Sequence, residues 1–445
     1  MATAERQNRR LTTFQSIILG FAGVILAGTV LLMLPVSSGN GTAASFGDAL
    51  FTATSAVCVT GLVVRDTASC WSGFGQAVIL AMIQIGGLGV VTVAASFALL
   101  SGRKISLLQR SAMQEAITAP KMGGIVRLTG FILRMTFLFE AAGALALTPV
   151  FCKEYGIRGV WMALFHSVSA FCNAGFDVMG TKDAPFSSLT SYAGRPAVNV
   201  TVMLLIVIGG IGFLTWEDVR TNRFRFSRYR MQSKVILVTS AVLIVAPAVF
   251  FFFAEFKRLP MGERILASLF QAVTPRTAGF NTADLTAMSG AGKAVLVGLM
   301  LIGGSPGSTA GGMKTTTAAV LIANAVTVFR RKEDAHFFGR RLESGAVRNA
   351  STILLLYLVL FISGGIVISL AEGLPVGACL FEAASAIGTV GLSMGITPAL
   401  GAVSRTVLIL LMFFGRVGGL TLIYAALSGT KRVSYKLPQE RITVG

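Results

Sequence analysis

Four short segments of this chain hold the residues best suited to ion chemistry. Each follows an apolar stretch and ends in a glycine that precedes leucine or phenylalanine. The glycines are Gly61, Gly175, Gly279 and Gly391, spaced by 114, 104 and 112 residues. Glycine adopts backbone angles closed to other residues, so its carbonyl can turn toward a shared axis. Four such loops around one axis would form a filter in which carbonyls replace a monovalent cation's hydration shell.

The predicted filter comprises each glycine and the two residues before it. The twelve residues are Val59, Thr60, Gly61, Asn173, Ala174, Gly175, Thr277, Ala278, Gly279, Thr389, Val390 and Gly391. None of them carries a charge, and Asp177 and Asp284 follow the glycines instead of lying among them. A neutral ring of carbonyls suits K⁺ better than a divalent ion, which usually binds carboxylates.

The composition places these segments in a membrane. The chain is 54% hydrophobic and 13% charged, with a mean hydropathy of +0.75. Soluble domains carry about 25% charged residues. We therefore expect an integral membrane protein.

The net charge of +19 follows the membrane topology and does not indicate nucleic acid. With both termini placed in the cytoplasm, the inner segments hold 24 of the 38 Lys and Arg residues, and the outer segments hold ten. This is the positive-inside bias of membrane proteins. The inner segments are 1–10, 101–127, 220–234, 330–348 and 431–441.

The predicted fold class is an all-α membrane protein with four repeats of outer helix, half-helix and inner helix. A membrane helix needs about 20 apolar residues, and the half-helices are too short to cross. Non-helical backbone at membrane depth must line a cavity or be buried in protein. We therefore predict eight transmembrane helices and four re-entrant half-helices around one central pore. The repeats are 1–110, 111–230, 231–335 and 336–430, followed by a cytoplasmic tail, 431–445.

Each repeat contributes one helix of each kind. The outer helices are predicted at Leu11–Leu34, Ile125–Val150, Val235–Phe253 and Ser351–Leu370. The half-helices are predicted at Asp48–Val57, Gly159–Phe171, Glu263–Thr274 and Val376–Ala386. The inner helices are predicted at Gln76–Leu100, Pro196–Leu214, Ala294–Val328 and Thr406–Leu427.

Glycines recur in the inner helices, as Gly86-Gly87, Gly209-Gly210, Gly303-Gly304 and Gly415-Arg416. In the first two repeats they are consistent with ordinary contacts between small residues of packed helices. The third repeat differs, because its ten residues from Gly303 to Gly312 include five glycines and one proline. Glycine costs about 1 kcal/mol and proline about 3 kcal/mol inside a helix. This segment is therefore predicted to be an intramembrane loop halfway down the pore.

The predicted gate combines this loop with two basic residues. Its members are Gly303, Gly304, Ser305, Pro306, Gly307, Ser308, Thr309, Ala310, Gly311, Gly312, Lys314 and Arg416. Arg416 lies about ten residues from either end of its span, and an arginine at this depth is costly and marks function by default. The alternatives are a gate residue bonded to loop carbonyls and a purely structural one. A phosphate-binding loop is excluded, because Met313 separates Gly312 from Lys314.

Other chemistry finds little support in the residues. The five cysteines lack metal-binding spacing, and the two histidines, His166 and His336, lie in different repeats. A coupled secondary transporter would bury acidic relays in its spans, for which the candidates are few: Glu140, Asp177, Glu217 and Glu382. Glu382 could instead support the fourth filter loop. A membrane enzyme would need paired catalytic groups, and none is recognisable, so we expect no enzymatic activity.

Two basic inner loops form a candidate docking surface for a soluble partner. The residues are Arg223, Arg225, Arg228, Arg230, Arg330, Arg331 and Lys332. The alternative is that these charges only contact lipid headgroups and fix topology.

These motifs resemble the superfamily of Trk, Ktr and HKT cation transporters, most of all the ion-conducting membrane subunit of bacterial Ktr systems. The resemblance covers nearly the whole chain, and its most specific elements are Thr274–Asn281, Gly304–Thr316 and Gly388–Leu392. It implies a potassium uptake channel of the bacterial cell membrane with an intramembrane gate. Relatives with serine at the first filter glycine conduct sodium, so Gly61 favours potassium. A Na⁺-coupled or Na⁺-permeable secondary cation transporter is the alternative.

The resemblance also implies partners. It indicates a homodimer with a cytosolic octameric regulatory ring of the KtrA type. ATP or ADP, or NAD(H), would bind through that ring, and Na⁺ is a possible activator. No covalent cofactor is expected. The chain departs from the family at Gly419, where related sequences often place proline, so the local bend there is open.

Overall fold

The computed structural model describes residues 12–90, 92–94, 107–117, 123–223, 225–426 and 438. The predicted basic segment 1–10, parts of 101–127 and nearly all of the tail 431–445 lie outside the described residues. Helices dominate the described part of the chain.

The first half of the chain contributes nine helices to this description. The first quarter contains α1 (Thr13–Met33), α2 (Phe46–Val57), α3 (Thr67–Cys70), α4 (Gly73–Leu88) and α5 (Leu107–Ile117). The second contains α6 (Ile125–Tyr155), α7 (Arg158–Phe171), α8 (Pro196–Gly210) and α9 (Phe213–Asn222).

The second half contributes eight helices and one short hairpin. The third quarter contains α10 (Met231–Ala254), α11 (Met261–Val273), α12 (Gly290–Leu301) and α13 (Thr315–Phe329). The strands β1 (His336–Phe337) and β2 (Arg340–Arg341) then pair antiparallel. The fourth contains α14 (Ser344–Glu372), α15 (Val376–Ile387), α16 (Ala402–Val417) and α17 (Gly419–Ala426).

Serine side chains begin three of the helices that follow loops. The hydroxyls of Ser45, Ser72 and Ser289 accept hydrogen bonds from backbone amides in the first turns of α2, α4 and α12. Such caps satisfy amides that have no partner inside the helix. The chain therefore marks these helix starts locally.

Four helices in the described part of the chain are long and apolar enough to cross a membrane: α1, α6, α10 and α14. The pair α8 and α9, bent by 96°, would make a fifth if it counted as one span. The long helices expose large apolar side chains, such as Leu145 at 73% and Leu355 at 65%. An apolar outer face of this kind is what lipid contact requires. The protein is a multi-pass membrane protein.

The short helices α2, α7, α11 and α15 end close to the predicted positions. α2 ends at Val57 and α7 at Phe171, as predicted, while α11 and α15 end within one residue of the prediction. Each packs against the long helix that precedes it. Each short helix thus ends directly before the glycine-bearing segment of its quarter.

The predicted inner helices are not continuous, and the structure corrects three of them. α4 ends before Gly89, α8 ends just before Gly212, and α16 ends before Gly418. The backbone φ/ψ angles there are 86°/131°, 94°/140° and 91°/133°. Positive φ near 90° with extended ψ is open essentially to glycine alone, and it ends a helix. The bend left open near Gly419 thus lies at Gly418.

The third inner helix is interrupted over a longer stretch. α12 ends at Leu301 and α13 begins at Thr315. We call residues 302–314 the α12–α13 loop. It includes the glycine-rich stretch 303–312 for which the sequence predicts an interruption.

Candidate functional site

The four predicted filter glycines lie side by side. A Cβ atom built on Gly61 would lie 3.0 Å from the Cα of Gly175, and one on Gly175 would lie 3.0 Å from the Cα of Gly279. A Cβ on Gly279 would lie 3.2 Å from the Cα of Gly391, and one on Gly391 would lie 3.0 Å from the Cα of Gly61. The contacts follow chain order and return to the first residue. The four residues form a closed ring, which we call the glycine ring.

Carbonyl groups occupy the spaces between these glycines. An added Cβ on Gly61 would lie 2.5 Å from the carbonyl oxygen of Ala174, and one on Gly175 would lie 2.7 Å from that of Ala278. The carbonyls of Val390 and Thr60 stand in the same way against Gly279 and Gly391. A side chain at any ring position would therefore displace a neighbouring carbonyl.

The backbone of the four segments is in an unusual conformation. The ring glycines have φ values of 90°, 68°, 77° and 95°. The residues two positions earlier also have positive φ: Val59 at 56°, Asn173 at 58°, Thr277 at 68° and Thr389 at 52°. Positive φ is costly for β-branched residues, and three of these four are β-branched. Strain repeated at four matching positions is typical of a functional site.

Hydroxyl groups hold these loops from behind. Ser55 Oγ accepts from the Gly61 amide at 3.1 Å, and Ser385 Oγ accepts from the Gly391 amide at 3.0 Å. Ser169 Oγ donates to the Phe176 carbonyl at 2.7 Å, and Thr274 Oγ1 donates to the Phe280 carbonyl at 2.6 Å. We did not predict these residues from the sequence. Their signal was a serine six residues before three of the ring glycines.

The inner helices approach the half-helices through glycine. A Cβ on Gly86 would collide with the carbonyl oxygen of Val57, and one on Gly415 would collide with that of Ile387. Gly209 stands in the same way against Phe171. The glycines predicted as small-residue contacts therefore let the C-terminal ends of α2, α7 and α15 reach the inner helices.

The C-terminal part of the α12–α13 loop lies against the fourth loop segment. A Cβ on Gly311 would collide with the Thr389 hydroxyl, and one on Gly312 would lie 2.8 Å from the Gly388 carbonyl oxygen. The Gly312 amide donates to the Gly415 carbonyl at 3.2 Å. This part of the loop is thus in direct contact with a segment of the glycine ring.

The N-terminal part of the same loop contacts the second quarter of the chain. The Ser305 amide donates to the Gly210 carbonyl at 2.9 Å, and Thr309 Oγ1 donates to the Phe171 carbonyl at 3.0 Å. The Gly307 carbonyl accepts from an amide at the bend between α8 and α9, at 2.6 Å. The loop therefore reaches from the second quarter to the fourth.

Arg416 and Lys314 donate to carbonyl groups around this loop. Arg416 donates through Nη1 to the carbonyl of Thr309 and through Nη2 to the carbonyls of Gly86 and Gly87, the latter at 3.1 Å. Lys314 Nζ donates to the Ala310 carbonyl at 2.8 Å. Within the described residues neither side chain has a carboxylate within salt-bridge distance. Arg416 thus joins the fourth inner helix to the loop and to the first inner helix.

A cavity of about 240 Å³ opens on the ring glycines from the loops that follow them. Asp66, Asp177 and Asp284 are among its lining residues. Hydrogen bonds from the hydroxyl and amide of Thr286 hold the pKa of Asp284 below its ordinary value. Asp284 is therefore anionic at neutral pH and places a negative charge in the lining of this cavity.

Glu382 supports the fourth loop, in agreement with the role predicted for it. Its Oε1 accepts from Ser393 Oγ at 2.7 Å and from the Met394 amide at 2.8 Å. Its Oε2 accepts from Thr397 Oγ1 at 2.7 Å. The carboxylate is fully buried and pins the chain that follows Gly391. The described residues contain no group of three or more His, Cys, Asp or Glu side chains placed to hold a metal ion.

The two basic inner loops lie next to each other. The rings of Phe226 and Phe338 are 6.2 Å apart, and Lys234 Nζ lies 5.9 Å and 5.7 Å from their centroids. Arg230 is not free for a partner, because it pairs with Glu217 at 2.7 Å and with Asp218 at 3.4 Å. The predicted docking surface therefore reduces to the other six basic residues.

Comparisons with known proteins show the family of this chain. The TrkH family profile, described as cation transport protein, matches residues 2–431. The potassium/sodium uptake protein NtpJ of Enterococcus hirae is 39% identical, over 99% of both chains. The Ktr system potassium uptake protein B of Bacillus subtilis is 36% identical, over 98% of this chain and 97% of that protein.

A solved structure gives the same result for the fold. The crystal structure of the potassium transporter TrkH from Vibrio parahaemolyticus has a TM-score of 0.72 at 18% identity, over 94% of this chain and 85% of that one. The family and these relatives are cation transporters and not enzymes. The resemblance found in the sequence motifs is confirmed, and the chain belongs to the TrkH family of cation transport proteins.

Proposed function

We propose that this protein is the membrane subunit of a K⁺-selective uptake system and conducts K⁺ through the glycine ring. The observation that carries the proposal is the closed ring itself, in which four glycines from four parts of the chain meet with carbonyls between them. Its neutral carbonyls match the needs of a weakly hydrated monovalent cation. The potassium uptake named for the relatives supports K⁺ as the substrate.

The architecture that we propose is four repeats of outer helix, half-helix and inner helix around this ring. The repeat boundaries are 1–110, 111–230, 231–335 and 336–430, with 431–445 as a cytoplasmic tail. Eight helical spans and four half-helices would enclose one pore in the bacterial cell membrane, with both termini in the cytoplasm. The support is one glycine-ended loop in each quarter and the excess of Lys and Arg in the inner segments.

The gate that we propose is the α12–α13 loop with Lys314 and Arg416. The loop contacts Gly388 and Thr389 of the fourth filter segment, and Arg416 donates to the carbonyl of Thr309 in its middle. A glycine-rich loop moves more easily than a helix, because it has few side chains to repack. In this position it blocks ions that have passed the ring, while selection among ions takes place at the ring.

Regulation would come from the cytoplasmic side. We assign to the chain a homodimeric state and a cytosolic octameric regulatory ring that binds ATP or ADP, or NAD(H). The supporting observation is the basic surface on which two inner loops meet through Phe226 and Phe338. The name of the Ktr relative, which is one component of a system, agrees with a second component.

A second candidate function is Na⁺-coupled or Na⁺-permeable cation transport. It is favoured by the Enterococcus hirae relative, whose name includes both potassium and sodium uptake. The segments of the ring also differ from one another in side chains, with Asn173 in only one of them. Na⁺ would then act as a permeant ion or as an activator.

Uptake of ⁸⁶Rb⁺ in a bacterium that lacks its own potassium uptake systems tests both functions. The protein is expressed with and without a co-expressed regulatory subunit, and unlabelled K⁺ or Na⁺ competes with the tracer. K⁺-selective conduction predicts strong competition by K⁺, weak competition by Na⁺ and higher uptake with the regulatory subunit. Equal competition by the two ions would favour the second function, and no uptake above the empty vector would refute both.

A further inference from the structure

Arg276 is a buried cation in the third loop segment. It lies three residues before Gly279, just beyond the end of α11, and its exposed fraction is 5%. The matching positions of the other three segments hold Cys58, Cys172 and Gly388, which are neutral residues. The third quarter alone places a positive charge here.

This charge has almost no compensation. The guanidinium donates from Nη2 to Ser240 Oγ on α10 at 3.0 Å, and its Nε has no partner among the described residues. Among the residues that the structure describes, no carboxylate oxygen lies within 4 Å of the Arg276 guanidinium. Arginine does not lose its proton in proteins, and its five N–H groups all seek acceptors. No neighbouring carboxylate therefore neutralises the positive charge, and its electric field acts on the surrounding groups and ions.

The cavity that adjoins Arg276 is too small for a free anion. The adjoining cavity has a volume of about 10 Å³ and is lined by Ile206, Val207, Gly210, Val273 and Gly304. That volume is enough for about one water molecule. A free phosphate group would not fit. The field of the guanidinium thus extends to the ring and to the start of the α12–α13 loop.

The magnitude of this field depends on the distance between the charge and a bound ion. Gly279 follows Arg276 by three positions, so their Cα atoms are at most about 11 Å apart. With an effective dielectric constant of about 20, a unit charge about 11 Å from a bound monovalent cation weakens its binding on the order of ten-fold. The effect on a divalent cation is the square of that, on the order of a hundred-fold.

We infer that Arg276 is a specificity-determining charge that weakens cation binding in the glycine ring and keeps ions exchanging rapidly. The inference rests on the proposed function of the ring as the ion path. It predicts that the ring discriminates against divalent cations partly through a fixed positive charge and not only through its carbonyl geometry.

Two independent ways of neutralising the charge provide the test. Arg276→Gln removes the charge, and Arg276→Lys keeps it. Ser240→Asp places a carboxylate beside the intact Arg276, and Ser240→Asn is its neutral match. Binding of Rb⁺ and Ba²⁺ to the purified full-length protein is measured for each variant by isothermal titration calorimetry.

We expect Arg276→Gln and Ser240→Asp to bind Rb⁺ on the order of ten-fold more tightly and Ba²⁺ on the order of a hundred-fold more tightly. Arg276→Lys and Ser240→Asn should stay within about two-fold of the unmodified protein. A merely structural role would give no dependence on the charge of the ion. Equal shifts for the two ions, equal shifts for the Gln and Lys variants, or no shift in Ser240→Asp would overturn the inference.

A ring substitution separates this inference from the proposed function. Gly279→Ser is titrated in the same way. Unchanged Rb⁺ binding in Gly279→Ser would overturn the ring as the ion path, and the inference with it. Altered binding in Gly279→Ser with unaltered binding in the charge variants would overturn the role of Arg276 alone.

Discussion

Replacement of Gly61 by serine should reduce the preference for K⁺ over Na⁺ while uptake continues. Gly61 has φ of 90°, and a Cβ atom there would lie 2.5 Å from the Ala174 carbonyl oxygen and 3.0 Å from the Cα of Gly175. A left-handed backbone costs a non-glycine residue about 1–2 kcal/mol. Contacts this short also force the Ala174 carbonyl to move.

The expected loss of K⁺ preference follows from the backbone strain at residue 61 and from the displacement of the Ala174 carbonyl. Relief of the strain moves the first loop segment and the Ala174 carbonyl, so the ring coordinates an ion less completely. A loss of about 1.4 kcal/mol in the difference between K⁺ and Na⁺ binding is a ten-fold loss of preference. We therefore expect Gly61→Ser to lower the K⁺/Na⁺ preference at least about ten-fold.

The assay is competition of K⁺ and Na⁺ against ⁸⁶Rb⁺ uptake, normalised to the amount of protein in the membrane. Gly41→Ser is the matched control, because Gly41 also has positive φ, at 69°, but an added Cβ there would meet no atom within 4 Å. The control should keep the original preference. If Gly61→Ser behaves like Gly41→Ser, the assignment of Gly61 to the filter is refuted.

Three further predictions address the gate, the docking surface and the fourth loop. Deletion within Ser305–Gly311, or Arg416→Ala, should raise Rb⁺ uptake and make it less dependent on the regulatory subunit. Each change removes contacts that hold the loop in place. Lower uptake at normal protein levels would show that Arg416 is a structural residue and that the loop does not close the path. Reversal of the charges of Arg223, Arg225, Arg228, Arg330, Arg331 and Lys332 should weaken co-purification with the regulatory ring, and normal co-purification would reduce these residues to lipid contacts. Glu382→Gln should lower the free energy of unfolding of the purified protein by about 1–3 kcal/mol, because an amide nitrogen cannot accept the hydrogen bonds that Glu382 receives. An unchanged melting temperature would argue against the pinning role.

The sequence carried enough information to predict the helix ends that are set locally. The half-helices end at Val57 and Phe171 as predicted, because an apolar stretch runs into a turn-forming segment at each point. The long interruption between α12 and α13 was also predictable, since five glycines and Pro306 make a helix there too costly. In both cases the cost of continuing the helix is set by a few residues that are adjacent in the sequence.

Features that depend on distant contacts were not predictable in the same way. The apolar runs before Gly89, Gly212 and Gly418 read as continuous helices, because hydropathy carries no information on φ. The bend at Gly212 requires its partner in space, since a Cβ there would lie 2.7 Å from the carbonyl oxygen of Pro306. The hydroxyl supports such as Ser55 and Ser385 acquire meaning only when the loop folds back on its half-helix.

The three glycine bends also bear on the closure that we propose for the ion path. The φ/ψ values of Gly89, Gly212 and Gly418 are nearly the same, although the three glycines lie in three different inner helices. A straight helix would require φ near −63° at each bend, which is a rotation of about 150°. The α12–α13 loop touches the bend at Gly212 directly, whereas Arg416 reaches the first inner helix at Gly86 and Gly87, before its bend. Deletion within the loop removes the contacts at Gly212 but touches neither Gly89 nor Gly418, so the deletion separates closure by the loop from closure at these two bends.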